Sequence, residues 1–124
     1  SAGNSRTPGD NVNHHNYQNA RETVTVASVA QDDTISSFST PGAAILVAAY
    51  GESIFTTDRL GSDGMNTAPG DAGDYTSFGG TSAAAPEVSA IVALMLEANP
   101  NLGYRDVQAI LAHSTRHPDS ASWK

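Results

Sequence analysis

The stretch Phe78-Gly79-Gly80-Thr81-Ser82-Ala83-Ala84-Ala85-Pro86 decides how the rest of the 124-residue chain is read. A glycine pair opens a turn of small residues, a serine sits at the turn, and an apolar run follows from Val88 to Ala98. That run is too rich in alanine and leucine for a strand, so it predicts a helix with Ser82 at its N-terminus. Unpaired backbone N–H groups and the positive end of the helix dipole gather at such a point, where they stabilise negative charge developing beside a hydroxyl nucleophile. A serine or threonine behind a glycine loop also serves as a plain helix cap, and the short Gly-Thr-Ser sequence by itself does not separate the two roles.

The wider stretch does. Gly80 to Pro86, followed by an apolar helix, resembles the nucleophile segment of the subtilisin-like serine proteases. The segment from Ala93 to Gln108 (Ala-Leu-Met-Leu-Glu-Ala-Asn-Pro-Asn-Leu-Gly-Tyr-Arg-Asp-Val-Gln) most resembles the kexin/furin branch, and Ala83 fits that branch too. At the other end, Ser1-Ala2-Gly3-Asn4-Ser5 resembles the family segment whose asparagine donates to the oxyanion.

The resemblance implies an α/β fold, a subtilisin-like parallel sheet with flanking helices. Residues 1–124 would form the C-terminal portion of a catalytic domain whose triad aspartate and histidine lie upstream of Ser1. It implies Ser82 as nucleophile and Asn4 as oxyanion donor. Ser1, Ala2 and Gly3 would line the pocket for the residue before the scissile bond, and Gly80 and Thr81 would contact substrate beside the serine. It also implies a peptide or protein substrate and an extracellular or cell-surface location.

Composition sets the outer bounds. Six basic and thirteen acidic residues leave a net charge of −7, which argues against nucleic acid as a partner. With no cysteine there is neither a disulfide framework nor a thiolate metal site. No continuous apolar run reaches the about 18 residues of a membrane span, so no membrane partner is expected. No lysine follows the glycines in the phosphate-loop pattern, and Ala84 stands where the nucleophile elbow of α/β-hydrolases needs glycine.

Outward from the serine, Ser1 to Asn13 is small and polar and reads as loop. Asp10, Asn11, Asn13, His14, His15 and Asn16 gather oxygen and nitrogen ligands, and a polar surface loop has the same composition. The family resemblance singles out Asp10 as a calcium candidate. His15 and Thr40, however, stand where other acids of that region align, which counts against calcium here and against the acidic pocket walls that select paired basic residues. Glu22 to Ala30 reads as a buried strand, Ile45 to Ala49 as a second, and Ser53 to Thr57 as a short one near an edge. Asp58 to Gly73 is glycine-rich and aperiodic. Asp63, Asp71 and Asp74 invite a calcium loop, but their spacing does not fit an EF-hand. The helix after Ser82, apolar all round, is expected to be central and buried, and a second helix is expected from Tyr104 to His113. Trp123 suggests further chain to cover it.

None of the four histidines, 14, 15, 113 and 117, stands where the resemblance places a general base. The chain by itself is therefore expected to be inert towards peptides, to carry no cofactor of its own (calcium being open for the longer protein), and to self-associate through exposed sheet edges. Two other classes fit parts of the pattern: a non-catalytic binding module with the same fold, and an unrelated nucleotide-binding α/β domain using the helix N-terminus as an anion site.

Overall fold

The computed structural model describes residues 1–116; the Asp71 side chain, His117 and Trp123, all singled out above, lie outside it. Within it, strands β1 (Thr25–Val29) and β2 (Ile45–Tyr50) form a parallel pair, and β3 (Ile54–Thr57) and β4 (Tyr75–Phe78) an antiparallel one. Helices α1 (Thr81–Ala98) and α2 (Tyr104–Ser114) follow.

β1 is buried at every residue, because small and β-branched side chains fill both faces of a covered parallel strand. Its register with β2 runs from Thr25 opposite Ile45 to Val29 opposite Tyr50, with one irregularity after Thr25. α1 lays Ala84 and Val88 on these strands, and α2 adds Val107 and Leu111. With Val26 and Val47 they make the core. The alanines at the start of α1 let its backbone approach the sheet closely, and Ala84 is 0% exposed.

The connection from β1 to β2, residues 30–44, contains no helix, unusual for a parallel crossover. It folds back instead over the N-terminal loop. Thr40 N–H donates to the Gly3 carbonyl (2.9 Å), Arg6 N–H to the Phe38 carbonyl (3.1 Å), and Ser5 N–H to Thr40 Oγ1 (2.9 Å). Underneath, Ser28 Oγ and Ser36 Oγ share a 2.8 Å bond and the Ser28 N–H donates to Ser39 Oγ, so three buried serines satisfy one another.

Three expectations change. Tyr75–Phe78, read only as the approach to the serine, is a strand paired with β3; its tyrosine stacks on Phe55 at 5.6 Å. β2 is half-buried rather than fully buried. α1 is also not enclosed: Ile91 is 51% and Leu94 64% exposed, because β1 and β2 cover one side of the helix and nothing among the described residues covers the other. By length and composition α1 is apolar enough to cross a membrane, with a mean hydropathy of 1.2. The count of uninterrupted apolar residues missed this because Glu87, Glu97 and Pro86 break the run.

Candidate active site

The geometry starts at Gly80. Its φ of 102° lies in the left-handed region, where a side chain is strained, and a Cβ there would stand 2.8 Å from Asn4 Nδ2. Gly80 caps α1 without a side chain, so the first helical N–H groups need acceptors from elsewhere. Asn4 supplies one from the far end of the sequence: its Oδ1 accepts the Thr81 N–H at 3.0 Å and the Thr81 hydroxyl at 2.9 Å. Thr81 Oγ1 in turn accepts the Gly3 N–H at 3.0 Å. Since a backbone N–H can only donate, the Asn4 oxygen must face Thr81 and its NH₂ must face away. That NH₂ has no acceptor among the described residues.

Ser82 is the second residue of α1 and is exposed. Its N–H precedes the helical bonding pattern and has no partner among the described residues, whereas Ala83 and Ala84 N–H both reach the Gly80 carbonyl. Further along, Pro86 lacks the N–H that would have bonded the Ser82 carbonyl. Two donors without a partner among the described residues, the Asn4 NH₂ and the Ser82 N–H, thus lie at the positive end of an 18-residue helix whose second residue is the exposed Ser82.

The sequence-predicted residues separate into two sets. Gly3, Asn4, Gly80 and Thr81 come together beside Ser82. Ala2 is buried and donates its N–H to the Val26 carbonyl. Ser1 lines a separate groove of about 600 Å³ with Val24, Val88, Val92 and Val107. Sequence reasoning missed Gly51, whose carbonyl accepts the Gly80 N–H at 2.7 Å, and the open recess of about 450 Å³ beyond it. That recess is lined by Asn4, Phe38, Gly51, Glu52, Ser53, Gly79 and Gly80. Its signal lay in Gly51-Glu52, a turn between strands that returns to the serine loop.

Asp10 does not offer an open carboxylate. Both its oxygens stand 2.9 Å from His15 Nε2, and one also accepts the Asn11 N–H. The His15 hydrogen bond, then that of Asn11, holds its carboxyl below the usual aspartate range. Thr40 is buried with its hydroxyl taken by the Ser5 N–H. Among the described residues no three His, Asp or Glu side chains converge to hold a metal. Asp10 and His15 hold each other and Thr40 holds Ser5, so these three do not fit a calcium ion; Asp74 Oδ1 is buried with no hydrogen-bond partner among the described residues.

Known proteins are similar to this chain in sequence and in fold. The profile of the family described as Subtilase family matches residues 1–122. Kexin of Saccharomyces cerevisiae is 36% identical over 111 residues, 86% of this chain and 12% of that protein. The dibasic-processing endoprotease of Schizosaccharomyces pombe is 38% identical over 91% of this chain and 15% of that protein. The calcium-dependent protease of Trichormus variabilis is 36% identical over 91% and 19%. Among solved structures, a cold-adapted subtilisin-like serine proteinase superposes with a TM-score of 0.71 at 28% identity, covering 90% of this chain and 36% of that one. A protease from Pseudoalteromonas arctica superposes at 0.78 and 30% identity, covering 94% and 34%. The chain belongs to the subtilase family, whose members are serine endopeptidases. Its α/β fold is the subtilisin-like one, and its sequence is kexin-like within that family. That membership rules out an unrelated nucleotide-binding domain. The chain spans less than a fifth of the length of these curated relatives.

Proposed function

We propose that residues 1–124 are the C-terminal portion of a subtilase catalytic domain, and that the longer protein hydrolyses peptide bonds through an acyl-enzyme on Ser82. A serine hydroxyl is a weak nucleophile at neutral pH and needs a base. In this reading that base, and the carboxylate that orients it, lie upstream of Ser1, in the chain order of the subtilisin triad. The base takes the Ser82 proton as Oγ attacks the scissile carbonyl. The carbonyl oxygen, now an anion, is held by the Asn4 NH₂ and the Ser82 N–H. The base returns the proton to the leaving amine, and water then releases the acyl group by the same route.

The observation that carries this reading is the Asn4–Thr81 pair. It fixes the carboxamide with its oxygen inward and its NH₂ free beside Ser82, the orientation an oxyanion donor requires before substrate arrives. The substrate is a peptide or protein, by analogy with the proteases it resembles. The isolated chain, lacking a base, is inactive, and it self-associates through the uncovered side of α1 and the open edges of its strands. The Trichormus relative is a calcium-dependent protease; calcium, in this reading, belongs to the longer protein and not to Asp10. The location is extracellular or at the cell surface.

The test is peptide hydrolysis by the longer protein and by its Ser82→Ala variant. Activity that vanishes with the hydroxyl supports the reading. A folded longer protein that cleaves nothing favours the alternative, a binding module that keeps the fold without the chemistry.

A further inference from the structure

The recess beside Asn4 carries a charge the chemistry above does not use. Glu52 lines it, half-buried, and its carboxylate has no hydrogen bond or ion pair among the described residues. No cationic side chain lines the recess; its other walls are Asn4, Phe38, Gly51, Ser53, Gly79 and Gly80. The acid is also held in place. Gly51, just before it, is buried, accepts the Gly80 N–H at 2.7 Å, and has no room for a side chain against the Gly80 carbonyl. Ser53, just after it, adopts a left-handed φ of 56°, a strained state for a residue with a side chain. Glu52 is thus tied through Gly51 and Gly80 to the turn that presents Ser82.

Resting on the active-site reading above, we propose that this recess receives the substrate residue immediately after the scissile bond, and that Glu52 selects a lysine or arginine there. A peptide whose carbonyl oxygen lies between the Asn4 NH₂ and the Ser82 N–H must send one flank past Gly80 into the recess. Ser1 to Gly3, which the resemblance gives to the residue before the scissile bond, contribute nothing to its walls, and in this reading the recess lies on the leaving-group side. An unpaired carboxylate on the wall of an open recess attracts a cationic side chain and repels an acidic one, and salt weakens both effects.

The experiment uses the longer protein and peptides varied to lysine, alanine or glutamate at the position after the scissile bond. The wild type is expected to cleave the lysine peptide about fivefold to tenfold faster than the glutamate peptide in kcat/KM, the ratio shrinking at high salt. Glu52→Gln should level the three and Glu52→Lys should invert them, while Glu97→Gln, at the far end of α1, should leave the preference in place. An unchanged preference in Glu52→Gln overturns the proposal, as does a change confined to the position before the scissile bond. Failure of the underlying reading looks different: cleavage then survives Ser82→Ala, or no peptide is cleaved at all.

Discussion

Asn4 and Thr81, 77 residues apart in sequence, share one carboxamide oxygen: Asn4 Oδ1 accepts both the N–H and the hydroxyl of Thr81. The pair joins the N-terminal loop to the start of α1 and leaves the asparagine one outward face. Thr81 is 1% exposed, so its hydroxyl, which also receives the Gly3 N–H, is not replaced by water. Thr81→Val is therefore expected to lower kcat of the longer protein about tenfold with KM nearly unchanged, by letting Asn4 swing, and Thr81→Ser to restore it. Steady-state kinetics on both variants check this. A fall in stability alone, with kcat intact, would make Thr81 a purely structural residue.

Asn4 itself carries the larger effect. Asn4→Ala removes the donor and should cost about 10²–10³ in kcat, a range carried over from the equivalent loss in a subtilisin, a member of this family. Asn4→Asp should cost at least as much, since a carboxylate donates nothing and repels the oxyanion. KM should move little in either, because the donor binds the transition state more strongly than the ground state. Steady-state kinetics of the two variants separate the terms; a loss seen mainly in KM would place Asn4 in ground-state binding instead.

Much of this site was legible in the sequence, for a physical reason. Glycines that permit a left-handed turn, a small-residue helix start and a polar segment with one asparagine are local features that leave local marks. Gly80, Thr81 and Ser82 stand where that reading put them, at the beginning of an apolar helix. What it missed depends on long-range pairing. β4 has only Tyr75 to Phe78 and alternates weakly, so its identity comes from its partner β3 and not from its own pattern. The exposure of Ile91 and Leu94 could not be read either: an all-round apolar helix shows that every side can be buried, not which neighbours do it. The Glu52 recess is invisible in sequence because it joins residues 4, 38, 51 and 80.

Glycine positions test the scaffold independently of catalysis. Gly51→Ala puts a Cβ onto Ser28 Oγ and 2.7 Å from the Gly80 carbonyl, a backbone atom that cannot yield without moving the serine turn. Gly51→Ala should destabilise the fold by about 1–3 kcal/mol. Gly61→Ala, with open space around its Cβ and strain only from its φ of 67°, should cost about 1 kcal/mol. Urea denaturation of the two variants gives the comparison; equal losses would contradict the packing described around Gly51.

Glu87, on α1, supplies a pH test. Burial pushes its carboxyl above the ordinary glutamate value of 4.5, against a smaller opposing hydrogen bond from the Tyr50 backbone. A raised carboxyl pKa means the folded state holds its proton more tightly than the unfolded one. Glu87 therefore favours folding while protonated, and that contribution is lost as pH rises through the folded-state pKa. Glu87→Gln, neutral at all pH, is expected to raise Tm relative to wild type at pH 7 and to leave it unchanged at pH 4. A Tm difference independent of pH would show that the carboxyl titrates normally.

The most direct measurement is labelling with a fluorophosphonate, which reacts only with an activated serine, followed by peptide mapping. It is made on residues 1–124 and on the longer protein with its upstream segment, shown to be folded and free of any inhibitory pro-segment. Ser82 is expected to be labelled in the longer protein and not in the isolated chain. Labelling of another serine in the longer protein, or of none, would contradict the assignment of Ser82 as the nucleophile.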